Sequence, residues 1–185
     1  MSIRPALVLC ACVLGLGVLT AQTPAPGGVN PTPASKASKL PEQMARAFPG
    51  AQSFSPKQGD PPHFVAYGTD AAGKQTPIGY VYWTTELEPL ERGYDGPIKM
   101  LVGMDMKGVL TGLVVAEHHE PYGNISVETP GFVSQFRGKS IRDSFRVGAD
   151  VDAISRATIT VTSAARAIKN ASRRMARQYL PAPEK

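Results

Sequence analysis

The strongest constraint on this chain is a stretch of regular apolar spacing near its end. Val161, Ala164, Ile168, Ala171 and Met175 recur three or four residues apart, while Arg166, Lys169, Arg173, Arg174 and Arg177 hold the other face. That pattern predicts an amphipathic helix whose narrow, alanine-rich stripe must lie on an apolar surface supplied by the rest of the chain. Thr160 is the expected N-cap, with Thr162 and Ser163 able to cover further free amides of the first turn. Thr158 then stands about two residues ahead of the helix. Unpaired N–H groups and the positive end of the helix dipole make that place a natural seat for a phosphate. A hydroxyl there can touch a phosphate, be esterified to one, or belong to an ordinary capping segment.

Strands supply the surface. His63 to Tyr67 and Ile78 to Thr85 are rich in β-branched and aromatic residues and are joined through D-A-A-G-K, which reads as a hairpin turn. Ile98 to Asp105 and Val109 to His118 are joined by Met106-Lys107-Gly108, a second tight turn. Four strands in two hairpins make an antiparallel sheet, and the predicted class is α+β with the amphipathic helix packed on one face. Ahead of them, P-E-Q-M-A-R-A-F from Pro41 predicts a short helix closed by Pro49-Gly50. Ser53 to Pro62 reads as turns, and Phe132 to Phe136 as a helical turn.

The first 39 residues read differently. Met1 to Arg4 is a short positive start, and Pro5 to Ala21 is an apolar run of about 17 residues. Residues 1–21 are thus expected to be a cleaved signal peptide or a retained single-span anchor, and 22–39 a Pro-rich flexible tether. The folded domain is expected over 40–181, on the exported, periplasmic side. Both cysteines, Cys10 and Cys12, lie in the leader, so the domain has no disulfide or cysteine metal site.

Several chemistries lack support. The formal charge of +5 is concentrated on the last helix, but no aromatic residue is interleaved with its basic run before Tyr179, so a nucleic-acid surface is not indicated. Neither a G-x-G-x-x-G nor a Walker loop is present. Ser134, Ser140 and Ser144 lie in no G-x-S-x-G elbow. Glu117, His118, His119 and Glu120 invite a metal reading, yet neighbours on a strand face opposite sides and there is no H-E-x-x-H. A polar strand end is the plainer reading. Trp83 reads as core, whereas Tyr94 and Tyr122 could fill a core or stack on a flat ligand.

One resemblance gathers these fragments. Asp152, Ser155, Ala157 and Thr158 match the D-x-x-S/T-G-A-T flavinylation signature of the FMN-binding domain family. That family includes the G subunit of the Rnf complex, the C subunit of the sodium-pumping NADH:quinone reductase and the NosR-type proteins. Gly93 to Asp105 resembles the family's G-Y-x-G stretch entering a buried strand, Glu117 to Pro121 its E-H-H-E motif, and Phe48 to Ala51 a NosR-group segment. Arg156 departs from the pattern, standing where the family has Gly. A Gly there would serve a positive φ or a close approach; an Arg could instead pair with a phosphate.

The resemblance implies FMN as cofactor, joined to Thr158 through a phosphoester by an ApbE-type flavin transferase, with Asp152 helping the transferase to recognise or orient the Thr158 hydroxyl. It implies that Ser155, Arg156 and Ala157 lie beside the attachment point. Glu117, His118 and His119 would lie near the isoalloxazine edge, with Tyr94 stacking on it. The function implied is an exported electron carrier or oxidoreductase subunit rather than a stand-alone enzyme. Its partners would be membrane donors or acceptors of the iron–sulfur, haem or quinone type. The alternative is a non-covalent FMN-binding or structural subunit of a NosR-like membrane complex.

Overall fold

Strands that neighbour one another in space in the order of the sequence need no crossover, and that is the sheet observed. The computed structural model describes residues 39–181, so the expected leader and nearly all of the expected tether lie outside the described residues. The strands are β1 (Ser53–Phe54), β2 (Phe64–Thr69), β3 (Gln75–Trp83), β4 (Lys99–Asp105) and β5 (Leu110–Glu117), antiparallel throughout and in spatial order β1-β2-β3-β4-β5. Around them lie α1 (Lys39–Ala47), α2 (Thr84–Leu87), α3 (Pro130–Ser134) and α4 (Thr158–Tyr179). The α+β class is as the sequence predicts, with five strands rather than four. The fifth is β1, whose two residues pair with Ala66 and Tyr67 inside the stretch read as turns; two residues are too few to show an alternation.

Both hairpins are closed by the same device, an aspartate whose carboxylate collects turn amides. Asp70 accepts from Ala72 and Lys74 N–H, each at 2.9 Å. Asp105 accepts from Lys107 and Val109 N–H, each at 2.8 Å, around Gly108 at φ 78°. The β3 strand stops two residues short of the predicted Thr85. There Thr84 turns inward, its hydroxyl donating to Ile98 O (3.3 Å) and accepting from Met100 N–H (3.2 Å), and α2 begins.

Alternation sends the strands' side chains to two separate cores. Val65, Tyr80, Tyr82, Met100, Val102 and Met104 meet the stripe of α4, in which Val161, Ala164, Ile168, Ala171 and Met175 are all fully buried. Tyr82 and Ser172 fix the register, for the buried Tyr82 hydroxyl donates to Ser172 Oγ at 2.8 Å and Ser172 donates on to Ile168 O at 2.6 Å. Phe64, Ala66, Val81, Trp83, Leu101 and Val114 face the opposite way and are covered by Met44, Ala47 and Phe48. Helix α1 comes so close that a Cβ on Gly103 would lie 2.2 Å from Ala47 O. A sheet covered on both faces is the platform that positions everything else.

The segment that leads into α4 is pinned by Asp150. Its carboxylate accepts from the Ser144 hydroxyl (2.7 Å) and from the Phe145 and Arg146 amides (2.9 and 2.5 Å), holding Phe145 at φ 51° against Phe136. Burial opposes the charge, but those donors and Lys139 at 3.5 Å outweigh it and hold the Asp150 carboxyl well below the usual carboxylate range. A folded-state depression of this kind stabilises the fold fully above the unfolded carboxylate value of about 3.9, and the contribution fades as pH falls below it. Asp150→Asn should therefore cost about 1–3 kcal/mol at neutral pH. Urea unfolding should show that cost shrinking as the pH is taken from 7 to 3.

Candidate functional site

The first turn of α4 is where the chain's features converge. Helical geometry begins at Thr158 rather than after Thr160, and the preceding Ala157 offers no side-chain cap. The first intrahelical bond is Val161 N–H to Ala157 O at 2.9 Å. The amides of Thr158, Ile159 and Thr160 thus have no partner within the helix, and the positive end of a 22-residue helix dipole lies there. The expected cap, Thr160, is buried and spends its hydroxyl on the Glu120 carboxylate instead. A tertiary partner outcompetes the local cap.

In front of this turn is a cleft of about 350 Å³ lined by Tyr94, Pro121, Tyr122, Arg156, Ala157, Thr158, Ile159 and Thr160. Its volume lies within the range of small-molecule sites. Three segments far apart in sequence make it: the loop before β4, the loop after β5, and the start of α4. Of the six large apolar side chains left exposed among the described residues, three are Tyr94, Tyr122 and Ile159 on its walls. Solvent-exposed apolar surface gathered at a concave site calls for a ligand with flat apolar faces. Thr158 is exposed, so its hydroxyl is accessible.

Arg156 has φ 67°, in the left-handed region that favours glycine. The backbone reason for a glycine at this position is therefore present, and this chain meets it with an arginine whose side chain lines the cleft.

The remaining residues singled out from sequence are placed as follows. Asp152 and Ser155 are exposed just upstream of the cleft lining, and Asp152 N–H donates to Gln135 Oε1 at 2.7 Å. His118 and His119 follow the last residue of β5, so the alternating-face argument does not apply to them. His118 Nδ1 accepts from Glu120 N–H (3.1 Å), which leaves Nε2 to donate to Glu128 (2.7 Å); the ring pins the loop that carries Tyr122. His119 is exposed. Glu117 lines a different hollow with Trp83, Lys99 and Glu86, not the cleft of Thr158. Glu120 is absent from the cofactor residues that the sequence suggests, although it closes the E-H-H-E block. Along α4, the basic side chains serve largely as struts. Arg166 pairs with Glu91 at 2.6 Å, Arg173 binds the Ile141 and Asp143 carbonyls, and Arg174 the Leu87 carbonyl.

Residues 93–173 match the FMN-binding domain family. They begin at the glycine before the Tyr94 wall and run through the first turns of α4, so they contain every residue that lines the cleft. This part of the chain is thus similar to an FMN-binding domain, and the match supports FMN as its cofactor. The chain is 35% identical over 100 residues to the G subunit of the ion-translocating oxidoreductase complex of Escherichia coli K12, covering 49% of this chain and 48% of that one. It is 31% identical over 120 residues to the same-named protein of Shewanella baltica OS223, covering 55% and 57%. With that of Photorhabdus laumondii it shares 33% identity over 102 residues, covering 50% and 47%. The chain spans about half the length of these curated relatives.

The cleft fits the cofactor on its own terms. Apolar rings and Ile159 suit a flat heteroaromatic system, and the free first-turn amides beside Arg156 suit a phosphate. Arg156 can be tested through its backbone. Replacing a left-handed non-glycine residue by glycine relieves about 1 kcal/mol of strain, partly offset by chain entropy. Thermal unfolding should therefore show Arg156→Gly at or slightly above the parent and Arg156→Val, β-branched, below it by more than about 1 kcal/mol.

Proposed function

We propose that this chain is an exported electron-transfer flavoprotein whose FMN is joined covalently to the Thr158 side chain. The observation that carries this reading is that Thr158 is the first residue of a long, uncapped helix and presents an exposed hydroxyl to a cleft with apolar walls. A threonine hydroxyl is a weak nucleophile unaided. In this reading a flavin transferase of the ApbE type supplies the base and FAD. The Thr158 oxygen attacks the phosphorus of the FMN half, its proton passes to the transferase, the pyrophosphate P–O bond breaks, and AMP leaves. The acceptor needs only to present the oxygen, and exposed Asp152 and Ser155 are available to the transferase.

Bound FMN supplies the ability to take up and release electrons. The chain's own residues do the rest. The first-turn amides and Arg156 hold the phosphate end, and Tyr94 and Tyr122 bound the ring site from two different loops. The relatives belong to an ion-translocating oxidoreductase complex. By analogy this chain passes electrons between membrane redox partners of the iron–sulfur, haem or quinone type. The expected leader and tether support a place outside the cytoplasm, where a covalently held cofactor is not lost by dissociation.

Coexpression with a flavin transferase should give a polypeptide that fluoresces as a flavin after denaturing electrophoresis, and Thr158→Ala should abolish that signal. A denatured band equally fluorescent without the Thr158 hydroxyl would overturn the attachment site.

A further inference from the structure

Glu120 lines no part of the cleft, yet its surroundings are unlike those of the other carboxylates described. It is only 6% exposed. Its Oε1 accepts from the Asp95 amide at 2.9 Å, and its Oε2 accepts from the Tyr94 amide at 3.0 Å and from the Thr160 hydroxyl. No Lys, Arg or His among the described residues forms an ion pair with it. Its main chain is held as well, by His118 Nδ1 at 3.1 Å on its N–H and by Gly123 N–H at 3.1 Å on its carbonyl. The fit leaves no room for a side chain opposite, since a Cβ on Gly93 would lie 2.3 Å from Glu120 Oε1.

The carboxylate's partners belong to two walls of the cleft, and the chain of Glu120 itself leads into the third. Tyr94 is one wall, Thr160 lies in the helix turn that carries Thr158, and the residues that follow Glu120, Pro121 and Tyr122, are the third. One buried residue therefore joins all three. A buried charge held by hydrogen bonds alone loses heavily when a bond is removed, because the remaining donors are left unsatisfied.

We propose that Glu120 is the positioning residue of the FMN site, setting the Tyr94 wall against the first turn of α4 and keeping a negative charge beneath the residues that line the cleft. The proposal rests on FMN occupying this cleft and not on the covalent bond to Thr158. Two consequences follow for this chain's own groups. Loss of the clamp frees the 93–96 turn and the first turn of α4 while the distant strands stay protected. Loss of the charge makes it easier for the nearby flavin to gain an electron, so its potential rises.

The test is Glu120→Gln, which keeps the size but turns an N–H₂ toward amide donors. In the full chain without cofactor, hydrogen exchange should speed up about tenfold or more at Tyr94 and Asp95, with β4 unchanged. In the FMN-loaded chain, flavin fluorescence anisotropy should fall and the midpoint potential should move upward. Should Glu120→Gln fail to fold, Thr160→Val removes one of the three bonds, and Thr160→Ser should restore both exchange protection and anisotropy. A folded variant whose exchange, anisotropy and potential all match the parent would overturn the proposal. Failure of the Thr158 attachment is read separately, from mass, and leaves these measurements interpretable with FMN held non-covalently.

Discussion

The packing of α4's alanine-rich stripe on the sheet is the constraint from which the rest follows. Small residues let the helix lie close. Val161, Ile168 and Met175 are fully buried, and side chains of this kind stabilise by roughly 1.5–3 kcal/mol each on complete burial. The Tyr82–Ser172–Ile168 hydrogen-bond chain then sets how far along the sheet the helix sits. With the register fixed, the helix's first turn has one address, at the end of the sheet where the loops before β4 and after β5 emerge. A cofactor site built from three distant segments needs such a fixed point.

At that address the electrostatics are divided between two occupants. The buried Glu120 carboxylate takes the Thr160 hydroxyl on the inner side, and the first-turn amides are left on the outer side, where the proposed FMN would set its phosphate with Arg156. The division explains why Thr160 does not cap the helix. It also explains why Thr158, and not Thr160, presents an exposed oxygen. The aromatic and aliphatic walls, exposed in the chain alone, gain a purpose once a flat ring lies between them.

Much of the fold is legible in the sequence because it is written in local patterns. The β2–β3 and β4–β5 hairpins announce themselves through β-branched runs ended by D-A-A-G-K and M-K-G, and the period of α4 is unbroken for its whole length. What is not legible depends on contacts distant in sequence. A Ser/Thr-rich segment looks like a cap and so puts the start of α4 too late; only a partner some forty residues away, Glu120, reveals where the Thr160 hydroxyl goes. The second core beneath α1 is hidden in the same way, for nothing in Gly103 or Ala47 alone tells that they meet. Tyr94, Arg156, Ala157 and Thr158, all suggested by the sequence, do share one cleft, whereas Glu117 faces another hollow and His118 supports a loop. Motif matching finds a block of sequence; it does not tell which of its side chains turns toward the ligand.

The central claim is that one oxygen at the start of α4 carries the cofactor. Trypsin cuts after Arg156 and Arg166, so the chain itself isolates the decisive peptide, 157–166, in which Thr158, Thr160, Thr162 and Ser163 compete as carriers. Fragmentation of that peptide from flavin-loaded protein should place the FMN mass on Thr158. The same mass on any other hydroxyl, or a peptide of unmodified mass from protein that has kept its flavin through denaturation, would contradict the account.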